Sequence, residues 1–152
     1  MWCFNMRHLK RYLIYSLVSS VLTAGAAVNT FADVAVIVHP SSPVNSLSHK
    51  QVQKLFLGRS LMFPDTETKV YSIDQNESSQ IFHVFYEKVI RMKTNKLKKY
   101  RAYYLFSGKG RLPLPLNDSN EVIERVSRTE NAISYVNVNE VSDKVKVVYT
   151  MP

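Results

Sequence analysis

Residues 70–89, Val-Tyr-Ser-Ile-Asp-Gln-Asn-Glu-Ser-Ser-Gln-Ile-Phe-His-Val-Phe-Tyr-Glu-Lys-Val, constrain the fold more than any other stretch. Residues 70–73 are β-branched or aromatic apart from one serine, which suits a strand. Residues 74–79 contain no apolar side chain and are rich in turn and cap formers. Phe82, Phe85, Tyr86 and Val89 then recur at i, i+3, i+4 and i+7, one face of a helix. A helix therefore starts just after a strand, with Ser78 or Ser79 available as its N-cap. Unpaired backbone N–H groups and the positive end of the helix dipole face outward at such a start, a combination that favours an oxyanion. The plainer reading of the serines is that they only cap the helix.

The amino terminus reads as a leader. Arg7, Lys10 and Arg11 precede a charge-free, apolar-leaning run over residues 12–28, and Thr30 and Ala32 place small residues before Asp33. That order is the one a cleavable secretory signal peptide uses, giving a leader at 1–32 and a mature chain at 33–152. The alternative is a membrane anchor, for which the run is short and diluted by Ser, Thr and Gly. Met6, just before the basic residues, is a second candidate start. The single cysteine, Cys3, lies in the leader, so a mature chain would carry no thiol, disulfide or cysteine metal site. Three of the 20 Lys/Arg and none of the 12 Asp/Glu fall in the leader, leaving a mature balance of +5. An exported chain meets little nucleic acid, and none is expected as a partner. The positive charges are scattered apart from residues 93–101, which read as a solvated helix face.

Taken in order, residues 33–38 are a continuous apolar run suited to a strand buried on both faces, as in a parallel sheet. Residues 39–46 are a Pro- and Ser-rich loop containing Ser41 and Ser42. Ser48 and Gln51 form a capping box for a helix that buries Val52, Leu55 and Phe56 and stops at Gly58. After the central strand–turn–helix, Thr94 opens a helix with Leu97, Tyr100 and Tyr104 on its apolar side. Residues 107–115 read as a second loop, and residues 118–121 as a further capped helix start. Residues 131–136 and 144–149 end the chain as strands. The order β-α-β-α-α-α-β-β predicts an α/β domain with a mainly parallel sheet.

Catalytic constellations are missing from this reading. There is no Gly-x-Ser-x-Gly elbow and no serine beside a candidate base. His39, His49 and His83 show no i, i+4 pairing, so no metal or cofactor site is expected. The Gly108-Lys-Gly110 segment lacks the context of a phosphate-binding loop. Lys109 and Arg111 could add positive potential over an anion. No enzyme is expected.

Three segments carry a resemblance. Residues 53–60, Gln-Lys-Leu-Phe-Leu-Gly-Arg-Ser, resemble the Ile-Phe-x-Gly-Lys segment of phosphate-type ABC transporter substrate-binding proteins, with residues 63–65 loosely similar to the turn that follows it. Residues 69–79 are similar to that family's strand and Arg-x-x-Gly-Ser-Gly-Thr turn. Residues 132–136, Ala-Ile-Ser-Tyr-Val, are similar to its Ala-Ile-Gly-Tyr-Val strand. The resemblance implies a type II periplasmic binding-protein-like fold, three-layer α/β/α, over 33–152 and amounting to about one lobe. It also implies a periplasmic protein that binds phosphate or a similar oxyanion and hands it to an ABC permease in the inner membrane. The implied ligand residues are Ser78, Ser79, Gln75 and Gln80, with Ser41 and Ser42 as weaker candidates. Two departures stand out: the family's arginine falls on Gln75, and its glycine and second hydroxyl fall on Gln80 and Ile81. One lobe offers half a site, so a partner lobe or a homodimer is implied. The competing reading is a non-transporting periplasmic interaction or sensory module that meets another envelope protein.

Overall fold

The structure, a computed structural model, describes residues 33–108 and 111–151. The predicted leader at 1–32 with Cys3 and Met6, and Lys109 and Gly110, lie outside the described residues. Five strands form one sheet: β1 Val34–Val38, β2 Tyr71–Gln75, β3 Leu114–Leu116, β4 Ala132–Asn137 and β5 Lys146–Met151. Their order across the sheet is β3-β2-β4-β1-β5. Four helices accompany them: α1 His49–Phe56, α2 Gln80–Val84, α3 Thr94–Phe106 and α4 Ser119–Ser127. A π-helical turn, Phe85–Val89, continues α2 without a break.

The sheet is mixed rather than mainly parallel. β2 runs parallel to β3 and β4, but β1 runs antiparallel to both its neighbours, β4 and β5. The apolar run of β1 reports cover on both faces and says nothing of strand direction. Val34, Val36 and Val38 face a core built with α1, α2, the π-helical turn and Leu97 of α3. Ala35 and Ile37 face a second core built with Val122, Ile123 and Val126 of α4. Helices on both sides of one sheet give the expected three layers. β3 was hidden in the sequence by Pro113 and Pro115, which mark a loop but are tolerated at a sheet edge.

Local chemistry fixes the helix ends. The Ser48 hydroxyl accepts from Gln51 N at 3.4 Å and Gln51 Oε1 accepts from Ser48 N at 2.7 Å, the expected capping box. Ser79 caps α2 by accepting from Phe82 N at 3.3 Å, and Asp118 caps α4 by accepting from Glu121 N at 2.9 Å. Phe56, Phe85 and Tyr135 interlock beneath β4, with Phe85 and Tyr135 stacked at 3.7 Å between ring centres.

Gly58, just past α1, has φ +70, a conformation that side chains resist. A methyl group there would also stand 2.9 Å from the Tyr104 ring, whose hydroxyl donates to the Gly58 carbonyl. This gives the glycine in residues 53–60 a physical reason: a side chain there would be strained and would crowd the Tyr104 ring of α3. Gly58→Ala is expected to destabilise the protein by more than about 1 kcal/mol in urea unfolding, because strain and crowding add. An unchanged midpoint would show that the turn relaxes freely.

Candidate functional site

Strands β2, β3 and β4 are parallel and end together, at Gln75, Leu116 and Asn137. In open α/β sheets such carboxyl ends border the crevice where ligands bind. A cavity of about 290 Å3 lies there, lined by Gln75 and Asn137 from the strand ends. Ser79, Gln80 and Ile81 line it from the start of α2, and Asn117, Asp118 and Ser119 from the start of α4, with Glu140 at its side. Two helix starts therefore open on one small cavity. The first N–H groups of a helix have no partner within it. Among the described residues, the N–H groups of Gln80, Ile81 and Ser119 make no hydrogen bond to the protein.

Of the six residues singled out from sequence, three reach this cavity: Gln75, Ser79 and Gln80. Ser78 does not line it; its N–H and hydroxyl both donate to Asn76 Oδ1 at 2.9 Å, closing the turn. Ser41 and Ser42 are far from it. The antiparallel direction of β1 pairs Val34 with Asn137 and Val38 with Ile133, so the loop after β1 leaves the sheet at the opposite end. There Ser41 N donates to His39 Nδ1 at 3.1 Å, and the buried Ser42 accepts from Val44 N at 3.4 Å. Arg111 does not line the cavity either.

Gln75 is buried, and its amide nitrogen donates to Ser119 Oγ at 3.0 Å and to the Tyr135 carbonyl at 3.2 Å. Both amide protons are thus used inside the protein, tying the end of β2 to the start of α4. Among the described residues, the cavity is lined by no Lys or Arg, and by two carboxylates, Asp118 and Glu140. Each carboxylate is already part of a cap: Glu140 Oε2 accepts from Asn137 N at 3.2 Å.

One cation does approach from below. Arg101 of α3, expected on a solvated face, is instead largely buried, with its side chain 15% exposed. It pairs with Asp74 Oδ2, and donates to the Tyr86 hydroxyl at 2.6 Å. Tyr86 donates to Asp74 Oδ2 at 2.9 Å, Tyr135 donates to Oδ1, and Gln75 N donates to Oδ1 at 3.0 Å. Arg101 also lies 4.9 Å above the Tyr86 ring and 3.5 Å from Glu77. Sequence reasoning missed this cluster because its members are scattered. Asp74 read as a turn residue, Tyr86 and Tyr135 as core, and Arg101 as surface. Burial raises the Asp74 carboxyl above its ordinary range, while the Arg101 charge and the hydrogen bonds from Tyr135, Arg101 and Tyr86 pull it back. Burial, reinforced by the Asp74 charge, holds both phenols well above the usual tyrosine range.

No group of His, Cys, Asp and Glu among the described residues is arranged to hold a metal ion, and no helix among them is long and apolar enough to cross a membrane.

The fold and the position of this crevice define a class: about one lobe of a type II periplasmic binding-protein-like architecture, the fold of phosphate ABC transporter substrate-binding proteins. An ABC-type phosphate transport receptor from Vibrio cholerae matches with a TM-score of 0.62 at 16% identity, over 77% of this chain and 46% of its own. A putative phosphate ABC transporter substrate-binding protein with bound phosphate from Clostridium perfringens matches with a TM-score of 0.62 at 20% identity, over 77% of this chain and 45% of its own. PstS from Borrelia burgdorferi matches with a TM-score of 0.56 at 18% identity, over 77% and 47% respectively. The chain thus spans less than half the length of these structures. No protein-family profile and no curated protein matches it.

Replacing Arg101 by Met leaves Asp74 buried beside no cation, and is expected to cost about 3–5 kcal/mol at neutral pH. The sign of its pH dependence follows from Asp74. Arg101 lowers that carboxyl's pKa, so losing Arg101 raises it further above the unfolded value. Such a group favours folding most when protonated, and the favour is lost as pH rises through the folded pKa. The deficit of the variant should therefore shrink as pH falls from neutral toward the ordinary carboxylate range. Urea unfolding at both pH values checks this; an equal deficit at both would show that Asp74 is not the cause.

Proposed function

We propose that this chain is a solute-binding lobe of the cell envelope, exported by a cleaved leader at 1–32, with residues 33–152 forming the periplasmic domain. Its ligand is a small oxyanion, placed at the cavity between the starts of α2 and α4. The observation that carries this reading is the convergence of two capped helix starts, Ser79 and Asp118, on one cavity at the ends of parallel strands. Backbone N–H groups of Gln80, Ile81 and Ser119 supply donors, and the hydroxyls of Ser79 and Ser119 supply two more.

The lining also selects among anions. Asp118 and Glu140 present carboxylate oxygens, which repel a fully ionised oxyanion but accept a hydrogen bond from one that still carries a proton. Hydrogen phosphate has such a proton and sulfate has none. The Clostridium perfringens structure of the same fold holds phosphate, which agrees with that class of ligand. Affinity in the isolated lobe is expected to be modest. A missing charge-assisted contact at the Gln75 position forfeits roughly 1.5–3 kcal/mol, and one lobe cannot enclose an ion from both sides. A second lobe, from a partner protein or a second copy, would complete the site, and an ABC permease in the inner membrane would receive the ligand.

A second reading is favoured by one observation: among the described residues no cation lines the cavity, and the buried Arg101 is paired with Asp74. On that reading the chain is a periplasmic interaction or sensory module that meets another envelope protein and moves no solute.

Calorimetric titration with phosphate, sulfate and molybdate separates the two. The receptor reading expects saturable heat with phosphate, weaker heat with sulfate, and a loss of phosphate affinity in Ser79→Ala. No heat and no thermal stabilisation with phosphate, together with recovery of a specific envelope partner in pull-downs, would favour the interaction module.

A further inference from the structure

The described residues carry a second, larger cleft that the oxyanion reading leaves unused. Its volume is about 910 Å3, toward the upper end of the roughly 300–1,000 Å3 typical of small-molecule sites. It lies at the opposite end of the sheet from the first cavity, beside the start of β2 at Tyr71 and the start of β3 at Leu114.

Its walls are apolar and open to water. Leu61, Met62 and Leu114 line it and are 52%, 45% and 37% exposed. Among the described residues, three of the seven large hydrophobic side chains left exposed thus line this cleft. Scattered exposed apolar residues need no explanation, but a concentration of them around a concavity marks a binding surface.

Its charge is one-sided. Lys69 and Arg111 line the cleft and no Asp or Glu does. Neither cation has an acidic partner among the described residues. A small polar anion would answer the cations but leave the apolar wall wet. A neutral hydrocarbon would cover the wall and leave the cations unanswered. A molecule with an apolar chain and an anionic head answers both.

We infer that this cleft binds a single-chain amphiphile with a carboxylate or phosphate head, its chain along Leu61, Met62 and Leu114 and its head at Lys69 and Arg111. The inference does not rest on the oxyanion reading, because the two sites lie at opposite ends of the sheet.

The test is titration of the purified protein with dodecanoate, dodecanol and dodecyltrimethylammonium below their micelle concentrations, followed by calorimetry and thermal shift. Dodecanoate should bind saturably at one site, dodecanol more weakly, and the cationic amphiphile not at all. The exposed double variant Lys69→Gln/Arg111→Gln removes both charge-assisted contacts and should weaken dodecanoate by more than about tenfold, the least expected of one such contact, and leave dodecanol unchanged. Leu61→Ser should weaken both. The thermal unfolding midpoint of each variant without added amphiphile serves as the control on folding. Equal affinity for the three chains would overturn the inference, as would binding of none. So would adsorption to phosphatidylglycerol vesicles, lost in Leu61→Ser, without binding of monomeric dodecanoate, which would make this face a membrane contact.

Discussion

A carboxylate at the end of a strand organises the middle of this protein. Asp74 is almost wholly buried, 1% exposed, and burying an unpaired charge at such a site is costly. Four groups from four parts of the chain meet that cost: Arg101 of α3, Tyr86 of the π-helical turn, Tyr135 of β4 and the backbone of Gln75. The pairing holds α3 against the sheet, orients the π-helical turn, and fixes the direction in which β2 enters the turn at residues 76–79. A buried ion pair is weak evidence for net stability when compared with a well-packed apolar replacement. Its contribution here is arrangement: each partner is satisfied in one geometry of the surrounding elements.

That arrangement also sets the charge of the candidate site. The cation nearest to the end of β2 is neutralised by Asp74 and approached by Glu77 at 3.5 Å. The buried amide of Gln75 is likewise committed, to Ser119 and to the Tyr135 carbonyl. What remains for a ligand is a set of neutral donors at two helix starts and two carboxylate acceptors. On the proposed reading, such a site would discriminate by the hydrogens a ligand carries more than by its net charge, without the strong pull of a guanidinium fork. The fold shared with phosphate-binding proteins thus holds a lining whose chemistry is this chain's own.

Legibility in the sequence followed the range of the interaction. Caps span three residues, so the sequence pattern located the starts of α1 at Ser48 and α4 at Asp118, and narrowed that of α2 to Ser78 or Ser79, of which Ser79 is the cap. The apolar faces of α1 and α4 were equally readable from periodicity. Sheet order and direction were not, because β1 is buried on both faces whichever way it runs. That run and the alternating element order gave the expectation of a mainly parallel sheet, whereas the antiparallel β1 carries Ser41 and Ser42, the weaker candidates, to the far end. The Asp74 network links residues 27 and 61 positions apart, Arg101 and Tyr135, with no local signature at either end. Half of the candidate site shared this invisibility: the start of α4 was recognised as a capped helix, but only the pairing of β2 with β3 and β4 brings it beside Ser79.

On the proposed reading a small oxyanion sits between the starts of α2 and α4 rather than on the Lys-rich face of α3. Backbone amide chemical shifts, followed by NMR as phosphate is added, test it residue by residue. Saturable shifts concentrated at Gln80, Ile81 and Ser119, with the Lys-rich face of α3 unmoved, are expected. Shifts confined to the lysines of α3, or drifting without saturation, would contradict the placement and leave Ser79 and Asp118 as helix caps alone.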